Sequence, residues 1–565
     1  MHPEPRRRPM CSIVTRLGPG TCRLTSSLWL ALGLTVAVLG AQQPGALPAP
    51  VRAAAEGISA SQLAWDVAYL ASDALLGRNT PSPGFDAAAA YITRRLERAG
   101  VEPLGDDGGF RQHYELHESR VDVNGARLEI GDRHLRCGDD FVIRSFAGPL
   151  EGSLPVVYVG HGWTVPDRGI DPYAGVDVRG KIVLAHGPRS LPRGVEIAQI
   201  GRVTANARSP LVEAERLGAA GVLFITQASE LVRWDELRGA NTIRRELDPP
   251  VPSAYAAPGI TSLLLSPAAI EALLEGEAVT GRAALAFEDD GNYAASFQLQ
   301  KRVSVRVPLA ARTVHRPYNV VAIVRGADEG LKDEYLTVEA HLDGAVGSRV
   351  VDGDGVYNSA DDNASGAAGM LAIAEQMMKA PRPKRSVIFI WDSGEEQGLW
   401  GTRHFVHAPP VALRQIAAHV NIDMIGASRR PGSADERSAR VTEPGEVFLI
   451  GPGVLSAKAD ALLERVNADY LELRFNRAYD RGDSEFFYPR TDAGPFLERG
   501  ILTIGFTTGI HDRYHLPSDE ARFLDPVQMH RIARAVFASI WMLADADERP
   551  AIDRAIPATV PRHRD

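Results

Sequence analysis

Ionisable side chains gather near the ends of four apolar segments of the chain and at the start of one helical segment. The apolar segments have the composition of buried strands, and open α/β sheets bind ligands at the carboxyl ends of their strands. The set combines imidazoles with carboxylates and contains no thiolate, which suits zinc held by nitrogen and oxygen atoms while one coordination position stays open for water. Its members are His341, Asp343, Asp362, Glu395, Glu396, Asp423 and His515.

The number of donors is sufficient for two metal ions that share one carboxylate. Two ions about 3.5 to 4 Å apart can hold a hydroxide between them and polarise a carbonyl, which is the chemistry of acyl-bond hydrolysis. In the pair Glu395-Glu396, one glutamate can coordinate while its neighbour takes a proton from the attacking water and passes it to the leaving amine. A single carboxylate would more often be a surface charge or a helix cap, but the joint pattern favours a hydrolytic metal site.

Strand and helix candidates alternate from about residue 315 onward. This alternation predicts an α/β fold with a mainly parallel sheet covered by helices on both faces. Earlier in the chain, apolar residues at helical spacing predict a helix over 85–99 that ends at Gly100. The strand candidates are 335–338, 386–391, 420–424 and 501–506, and the later helix candidates are 365–378 and 526–543.

Changes in composition divide the chain into six segments. Short β-branched runs separated by Gly and Pro indicate a small, β-rich insert that interrupts one catalytic domain. Pro and Ala dominate the linker that precedes this domain, and prolines among charges indicate a flexible tail after it. In order, we predict a signal peptide over 1–41, a linker over 42–56, the first part of the catalytic domain over 57–145, the insert over 146–290, the rest of the catalytic domain over 291–545 and the tail over 546–565.

The leader over 1–41 places several arginines before an apolar run that ends in small residues. This order is typical of an export signal, and a retained anchor is the weaker interpretation because the run of about 13 residues is shorter than the roughly 20 that cross a bilayer. An organellar transit peptide is an alternative that the short, continuous apolar run disfavours. We therefore expect a secreted or periplasmic protein with no stable membrane span.

The overall charge and the missing motifs exclude several classes of function. A net charge of -9 over 565 residues gives no basic stripe that could neutralise phosphates, so we do not expect a nucleic acid partner. The sequence contains no Gly-x-Ser-x-Gly elbow and no phosphate-binding Gly-rich loop, which disfavours a serine hydrolase and a nucleotide-binding enzyme. The expected partner is a peptide substrate, and the oligomeric state stays open.

Five ordered motifs closely resemble those of the co-catalytic two-zinc aminopeptidase family, whose relatives include glutamate carboxypeptidase II. The resemblance implies that Asp362 bridges two zinc ions, that His341 and Asp423 complete one site, and that Glu396 and His515 complete the other. The motifs are His341-Leu-Asp343, Asp361-Asp362-Asn363-Ala-Ser-Gly366, Gly394-Glu395-Glu396-Gln-Gly398, Asn421-Ile-Asp423-Met-Ile-Gly426 and Tyr514-His515-Leu-Pro-Ser-Asp519.

The same resemblance assigns three catalytic roles. Glu395 would be the general base, Asp343 would be the carboxylate that orients His341, and Tyr514 would help to hold the developing oxyanion. A further implication is a cis peptide bond after the bridging aspartate, between Asp362 and Asn363.

Similarity to the family extends to the insert and has two departures. Segments 177–184 and 217–224 resemble a protease-associated domain, which several members of the family carry at this point in the chain. Relatives often have Ser-Asp-His where this chain has Thr491-Asp492-Ala493, and a glycine where this chain has Ser359. Neither position is a proposed ligand, but the first leaves the substrate preference open.

The implied activity is that of a zinc-dependent aminopeptidase, which removes residues from the amino termini of peptides. A carboxypeptidase or dipeptidase with the same two-metal mechanism is the alternative. It would need a basic cluster for the substrate carboxylate, for which Arg481 and Arg513 are the candidates. A non-catalytic binding protein such as the transferrin receptor is disfavoured because every ligand and the base are present.

Overall fold

The computed structural model describes residues 46–561, except 188, 196–206, 241, 252–258, 286–291, 348, 430–439 and 489. The predicted signal peptide over 1–41 lies outside the described residues, so export stays a prediction. Within the described ranges, no helix has the length and apolar character needed to cross a membrane.

The helices and strands are numbered in chain order. The α-helices are α1 (Ala49–Glu56), α2 (Ala60–Leu70), α3 (Pro83–Ala99), α4 (Pro210–Arg216), α5 (Ala228–Leu231), α6 (Trp234–Gly239), α7 (Pro267–Leu274), α8 (Gly281–Leu285), α9 (Gly366–Met377), α10 (Trp400–His407), α11 (Pro452–Leu455), α12 (Ala457–Tyr470), α13 (Ala493–Glu498) and α14 (Pro526–Asp545). The strands are β1 (Glu102–Pro103), β2 (Arg111–His113), β3 (Glu115–Val121), β4 (Arg127–Ile130), β5 (Arg133–Arg136), β6 (Phe141–Ser145), β7 (Leu150–Tyr158), β8 (Ile182–His186), β9 (Gly221–Ile225), β10 (Ile243–Asp248), β11 (Ser262–Leu265), β12 (Phe297–Val307), β13 (Leu309–His315), β14 (Tyr318–Val324), β15 (Tyr335–Glu339), β16 (Ser386–Trp391), β17 (Ile416–Ile422), β18 (Glu446–Ile450), β19 (Arg474–Asn476) and β20 (Leu502–Thr507).

A nine-stranded sheet forms the centre of the region predicted to be the catalytic domain. Its order is β1-β14-β16-β15-β17-β20-β18-β19, with β2 also paired to β14. The middle strands β16, β15, β17 and β20 run parallel, and β14 and β18 flank them in antiparallel orientation. This arrangement confirms the predicted α/β fold with a mainly parallel sheet.

Both faces of this sheet are covered, as strand β16 illustrates. Val387, Phe389 and Trp391 belong to the large core that also contains buried residues of α1, α2, α3, α9, α12 and α14. The alternating residues Ile388 and Ile390 belong to the opposite core, together with residues of α10 and α13. A strand buried on both faces reads as a continuous apolar run, which is why these strands could be located from the sequence.

The strand predicted over 420–424 is displaced in the structure. Strand β17 spans Ile416–Ile422, so Asp423 follows the strand and does not lie within it. Met424 has a positive φ of 58°, a left-handed conformation that cannot continue a strand. The chain therefore turns at the end of β17, and Asp423 lies at the turn.

A separate eight-stranded sheet, in the order β5-β4-β12-β7-β8-β9-β11-β6, contains most of the predicted insert. The boundaries 146 and 290 are too narrow for it, because strands β4 to β6 precede residue 146 and β12 follows residue 290. Strand β12 alternates polar residues with the buried Leu299, Val303 and Val305, a period-two signal that continues the apolar face of the sheet. Its identity as a protease-associated domain stays a prediction.

The linker expected over 42–56 and the tail expected over 546–565 are partly wrong. Ala49–Glu56 form helix α1, with Val51 buried, because alanine has the highest helix propensity and a proline in the first turn removes no helical hydrogen bond. In the tail, Asp553 accepts hydrogen bonds from the backbone amides that begin α12, and Val560 is buried. Val51 and Val560 belong to the core that covers one face of the nine-stranded sheet, so both segments pack against that region.

Candidate metal centre

Four loops at the carboxyl ends of β15, β16, β17 and β20 supply the candidate ligands. His341 follows β15, Glu396 lies in a short helical turn after β16, and Asp423 directly follows β17. His515 lies in the loop after β20. Because these strands are parallel neighbours, their carboxyl ends meet at one edge of the sheet and bring together residues that are far apart in sequence.

Asp362 lies between two histidines, with one carboxylate oxygen near each. His341 Nε2 is 3.1 Å from Asp362 Oδ1, and His515 Nε2 is 3.1 Å from Asp362 Oδ2. Asp423 Oδ1 lies 3.6 Å from His341 Nε2, and Glu396 Oε2 lies 3.0 Å from His515 Nε2. The five side chains therefore form two groups of three that share Asp362.

The backbone around Asp362 is held from both sides. The peptide bond between Asp362 and Asn363 is cis, which confirms the prediction from the family resemblance. Asn363 donates from its side-chain amide to the Ile422 carbonyl at 2.9 Å and accepts from the Met424 amide at 3.2 Å. The carboxylate of Asp519 accepts from the Asp362 amide at 3.2 Å. These contacts connect the Asp362 turn to the loops that bear Asp423 and His515.

The donor atoms of the site fit a pair of divalent cations. Within the described part of the chain, Glu396 Oε1 and Asp423 Oδ1 are buried without a hydrogen-bond partner. Buried carboxylate oxygens are stable only when they are paired, hydrogen-bonded or bound to a metal. Two histidines and three carboxylates, two of which have an unpartnered oxygen atom, form a set that zinc accepts.

The carboxylates also repel one another, which a cation would relieve. Burial, together with the charge of Asp362, raises the pKa of Glu396 to about 7. Burial likewise raises the pKa of Asp423, and that of Glu395 well above the usual range for a glutamate. A raised pKa in a carboxylate means that its negative charge is poorly compensated.

The two histidines respond in the opposite direction. Burial alone lowers the pKa of His341, but the charges of Glu395, Asp362 and Asp423 outweigh it and raise this pKa well above the usual value. Burial also lowers the pKa of His515, but its hydrogen bonds to Asp362 and Glu396 and the charges of these two carboxylates raise that pKa to about 10. The surrounding carboxylates therefore favour the protonated form of both imidazoles when no metal is bound, and a metal must displace such protons.

Asp343 contacts His341 through its main chain. The Nδ1 atom of His341 donates to the Asp343 carbonyl oxygen at 3.1 Å, whereas the Asp343 carboxylate lies 3.9 Å away. The carboxylate oxygen Oδ1 instead accepts from the Glu395 amide at 3.2 Å. The nearer contact of Asp343 to His341 is therefore its carbonyl oxygen, and a role of the carboxylate in orienting His341 stays a prediction.

Glu395 lies beside the two groups of three and belongs to neither. Its Oε2 atom is 4.0 Å from His341 Nε2. The side chain is 17% exposed, and its backbone amide is held by Asp343. Glu395 is therefore close enough to the ligands to exchange a proton with a molecule between them.

Tyr514 is stacked on His515, the candidate ligand that follows it in sequence. The ring centroids of Tyr514 and His515 are 3.7 Å apart, and the Tyr514 hydroxyl oxygen accepts a hydrogen bond from Arg490 Nη2 at 3.0 Å. Arg490 also pairs with Glu485 at 3.3 Å. Sequence reasoning missed Arg490, although a basic residue directly before the altered Thr491-Asp492-Ala493 motif was a signal that could have identified it.

The two arginines considered for a carboxypeptidase have other partners. Arg481 pairs with Asp483 at 3.5 Å and is well exposed. Arg513 pairs with Asp512 at 3.2 Å, and its guanidinium lies 4.0 Å from the centre of the Phe523 ring. These contacts give no support to a basic cluster formed by these residues.

Similarity to known proteins agrees with this geometry. Residues 319–540 match the model of Peptidase family M28. An aminopeptidase of Pseudomonas aeruginosa is 28% identical over 436 residues, which cover 76% of this chain and 67% of that protein. A protein of Pyrenophora tritici-repentis named probable zinc metalloprotease is 26% identical over 257 residues, 41% of this chain and 58% of that protein.

A solved structure supports the fold. The aminopeptidase from Aneurinibacillus sp. strain AM-1 superposes with a TM-score of 0.54 at 16% sequence identity, over 91% of this chain and 100% of that one. The M28 match contains all five candidate ligands and the central parallel strands. Residues 319–540, which include the candidate metal centre, are therefore similar to peptidase family M28.

Proposed function

We propose that the chain is a zinc-dependent aminopeptidase that binds two zinc ions and hydrolyses the amino-terminal bond of peptides. The proposal rests on Asp362, whose two carboxylate oxygens each lie 3.1 Å from a different histidine. His341, Asp362 and Asp423 would hold one ion, and Asp362, Glu396 and His515 would hold the other. Action at the amino terminus is supported by relatives that are named aminopeptidase.

Glu395 is the proposed general base. When bound, two zinc ions would acidify a water molecule and polarise the carbonyl of the scissile bond. Glu395 is positioned to take the proton of that water and to donate it to the leaving amine. Burial raises the pKa of Glu395, and a carboxyl pKa nearer to the operating pH allows the same group to accept a proton and then to donate it. The hydrogen bond from its amide to Asp343 fixes its backbone.

Tyr514 is the proposed donor to the developing oxyanion. Its hydroxyl oxygen already accepts a hydrogen bond from Arg490, so the hydroxyl proton is available to a second acceptor. Burial, and after it the charges of Asp362 and Glu396, raise the pKa of Tyr514 far above its usual range. The hydroxyl therefore stays protonated and can donate at neutral pH.

We further propose that the protein acts on peptides outside the cytoplasm, on the basis of the leader over 1–41. The order of arginines, apolar run and small residues supports export.

A paired assay tests the proposed function. The purified protein is given an aminoacyl p-nitroanilide and the same compound with its amino group acetylated, each with and without a chelator. We expect the protein to hydrolyse only the compound with the free amino group. The chelator should abolish this activity, and added zinc should restore it. Elemental analysis should find two zinc ions per chain. Full activity without metal, or a preference for the acetylated compound, would contradict the proposal.

A further inference from the structure

Arg78 is a fully buried arginine that precedes the region matched by the M28 family model. Its side chain is 0% exposed. The guanidinium donates to the carbonyl oxygens of Leu342, Asn358 and Ser359, each at 2.9 Å, and to that of Leu70. Within the described part of the chain, no carboxylate lies within ion-pair distance of it. A buried guanidinium satisfied by carbonyls is rare, since arginine is almost never fully buried unless paired.

The carbonyls that Arg78 contacts belong to the loops that supply metal ligands. Leu342 directly follows His341. Asn358 and Ser359 lie just before the turn that contains Asp362. One planar, five-donor group therefore connects the loop of the first histidine to the loop of the shared carboxylate.

The residues after Arg78 reach a third ligand loop. The side-chain amide of Gln397 donates to Asn79 Oδ1 at 2.9 Å and to the Thr80 carbonyl at 2.8 Å. Gln397 directly follows the ligand Glu396. The segment Arg78–Thr80 thus contacts all three of the loops that bear His341, Asp362 and Glu396.

The backbone next to Arg78 is packed closely against the loop that precedes Asp362. A Cβ atom on Gly77 would lie 2.5 Å from the Tyr357 carbonyl oxygen, and one on Gly344 would lie 2.4 Å from the Gly77 carbonyl oxygen. Arg78 itself has a positive φ of 55°, a left-handed conformation that is unfavourable for a residue with a side chain. Such a conformation persists where surrounding contacts determine it, and three of the four carbonyl contacts of Arg78 are with the ligand loops.

Arg78 also places a positive charge behind the carboxylates. Burial lowers the pKa of Arg78 to about 10, and the charges of Asp343, Asp519, Asp362 and Glu396 oppose this shift. The guanidinium therefore remains charged at neutral pH. The positive charge of Arg78 repels a nearby zinc ion and so lowers the zinc affinity. The hydrogen bonds of Arg78 hold the loops that bear the candidate ligands and so raise the zinc affinity.

We propose that Arg78 is a positioning residue of the metal centre, which holds the loops of His341 and Asp362 in the arrangement that binds zinc. Its four carbonyl contacts are direct, whereas no carboxylate of the described residues is within ion-pair distance, so we expect the geometric effect to exceed the charge effect. The inference rests on the proposed two-zinc function.

Zinc affinity in three variants tests this inference. Arg78→Met removes the charge and the hydrogen bonds. Arg78→Lys keeps the charge but loses the planar guanidinium that donates to several carbonyls at once. Arg385→Met is the matched control. Arg385 is another arginine that is 1% exposed, and its partners are Glu334 and the Ala546 carbonyl, neither of which belongs to a candidate ligand loop. Zinc affinity is measured by competition with a chromogenic chelator, and folding by circular dichroism and gel filtration.

We expect Arg78→Met and Arg78→Lys to bind zinc about 10- to 100-fold more weakly, as is usual when a residue that supports metal ligands is lost. Arg385→Met should lose thermal stability but keep the wild-type zinc affinity. Unchanged or tighter zinc binding by a folded Arg78 variant would overturn the inference. If Arg78→Met does not fold, the zinc affinity of Arg78→Lys alone is compared with that of the wild type. Weaker binding by this variant supports the inference, and unchanged or tighter binding overturns it. A wild-type protein that binds no zinc would instead refute the proposed function.

Discussion

The Asp343 carboxylate accepts a hydrogen bond from the main-chain amide of Glu395, with 3.2 Å between Oδ1 and the amide nitrogen. The carbonyl of the same aspartate holds the imidazole of His341. Asp343 therefore contacts the proposed base with its side chain and a proposed ligand with its main chain. A substitution at this position removes the first contact and leaves the second.

Asp343→Ala should separate catalysis from metal binding. Alanine keeps the carbonyl that orients His341 but removes the acceptor for the Glu395 amide. We expect zinc content near that of the wild type and a kcat about 10- to 100-fold lower, the usual effect of losing a group that orients a functional residue. Steady-state kinetics and elemental analysis on the same sample measure both quantities.

Asp343→Asn is the control for this change. It retains an oxygen acceptor at the position of Oδ1 and should recover part of the lost kcat. If Asp343→Ala lost its zinc and kept its kcat when zinc was resupplied in excess, the carboxylate would act on His341 and not on Glu395.

The adjacent glutamates should respond differently to the same chemical change. Glu395→Gln removes the proposed base but no ligand, so we expect full zinc content and a kcat lower by about 10²- to 10⁴-fold. Glu396→Gln removes a ligand oxygen 3.0 Å from His515 Nε2, so we expect loss of zinc from the second site. Zinc bound per chain and kcat are measured for both, and a Glu395→Gln variant with wild-type turnover would exclude Glu395 as the base.

The candidate ligands could be brought together from the sequence because each belongs to a short contiguous motif. His341 follows a run that reads as a buried strand, and Glu395-Glu396 follow another. Parallel strands bring such ends together without any further information. The fold class and the proximity of the ligands were accessible from the sequence for this reason.

The supporting contacts were not accessible in the same way. Arg78 lies 264 residues before Leu342, whose carbonyl it contacts, and a single arginine after an apolar segment is usually a surface residue. The choice between the carbonyl and the carboxylate of Asp343 depends on loop dihedral angles, which no residue type encodes. Strand β12 is a different case, because its alternating pattern is visible in the sequence. The strand was assigned to the catalytic domain, after the predicted end of the insert at residue 290, although it pairs with strands of the insert.

Zinc binding should strengthen as the pH rises above neutrality. The pKa of His515 is about 10 in the metal-free protein, against about 6.5 for an unperturbed histidine. A zinc ion must displace this proton, so its apparent affinity increases until the pH passes the raised pKa. Chelator competition at about pH 7, 8 and 9 measures the slope. The slope should decrease in His515→Gln, and an affinity independent of pH in the wild type would contradict the raised pKa.

The same shift should affect the stability of the metal-free protein in the opposite direction. A histidine with a raised pKa in the folded state stabilises that state fully below its unfolded pKa of about 6.5, and this contribution is lost as the pH rises toward about 10. The Tm of the metal-free protein should therefore fall between about pH 7 and about pH 9 more than that of the zinc-loaded protein, in which the proton is already displaced. Equal slopes of Tm against pH in the two forms would show that His515 is not protonated when the metal is absent.

Tyr514→Phe should lower kcat and leave zinc binding intact. The substitution removes the hydroxyl that would donate to the oxyanion but keeps the ring that stacks on His515, with centroids 3.7 Å apart. Loss of one oxyanion donor typically lowers kcat by about 10²- to 10³-fold, and KM should change little because the interaction forms in the transition state. Arg490→Met is the matched variant, since it removes the donor to the Tyr514 oxygen at 3.0 Å and keeps the tyrosine proton. If the hydroxyl proton of Tyr514 stabilises the oxyanion, Arg490→Met should lower kcat less than Tyr514→Phe does. A larger loss of kcat in Arg490→Met would instead show that the Arg490 guanidinium stabilises the oxyanion.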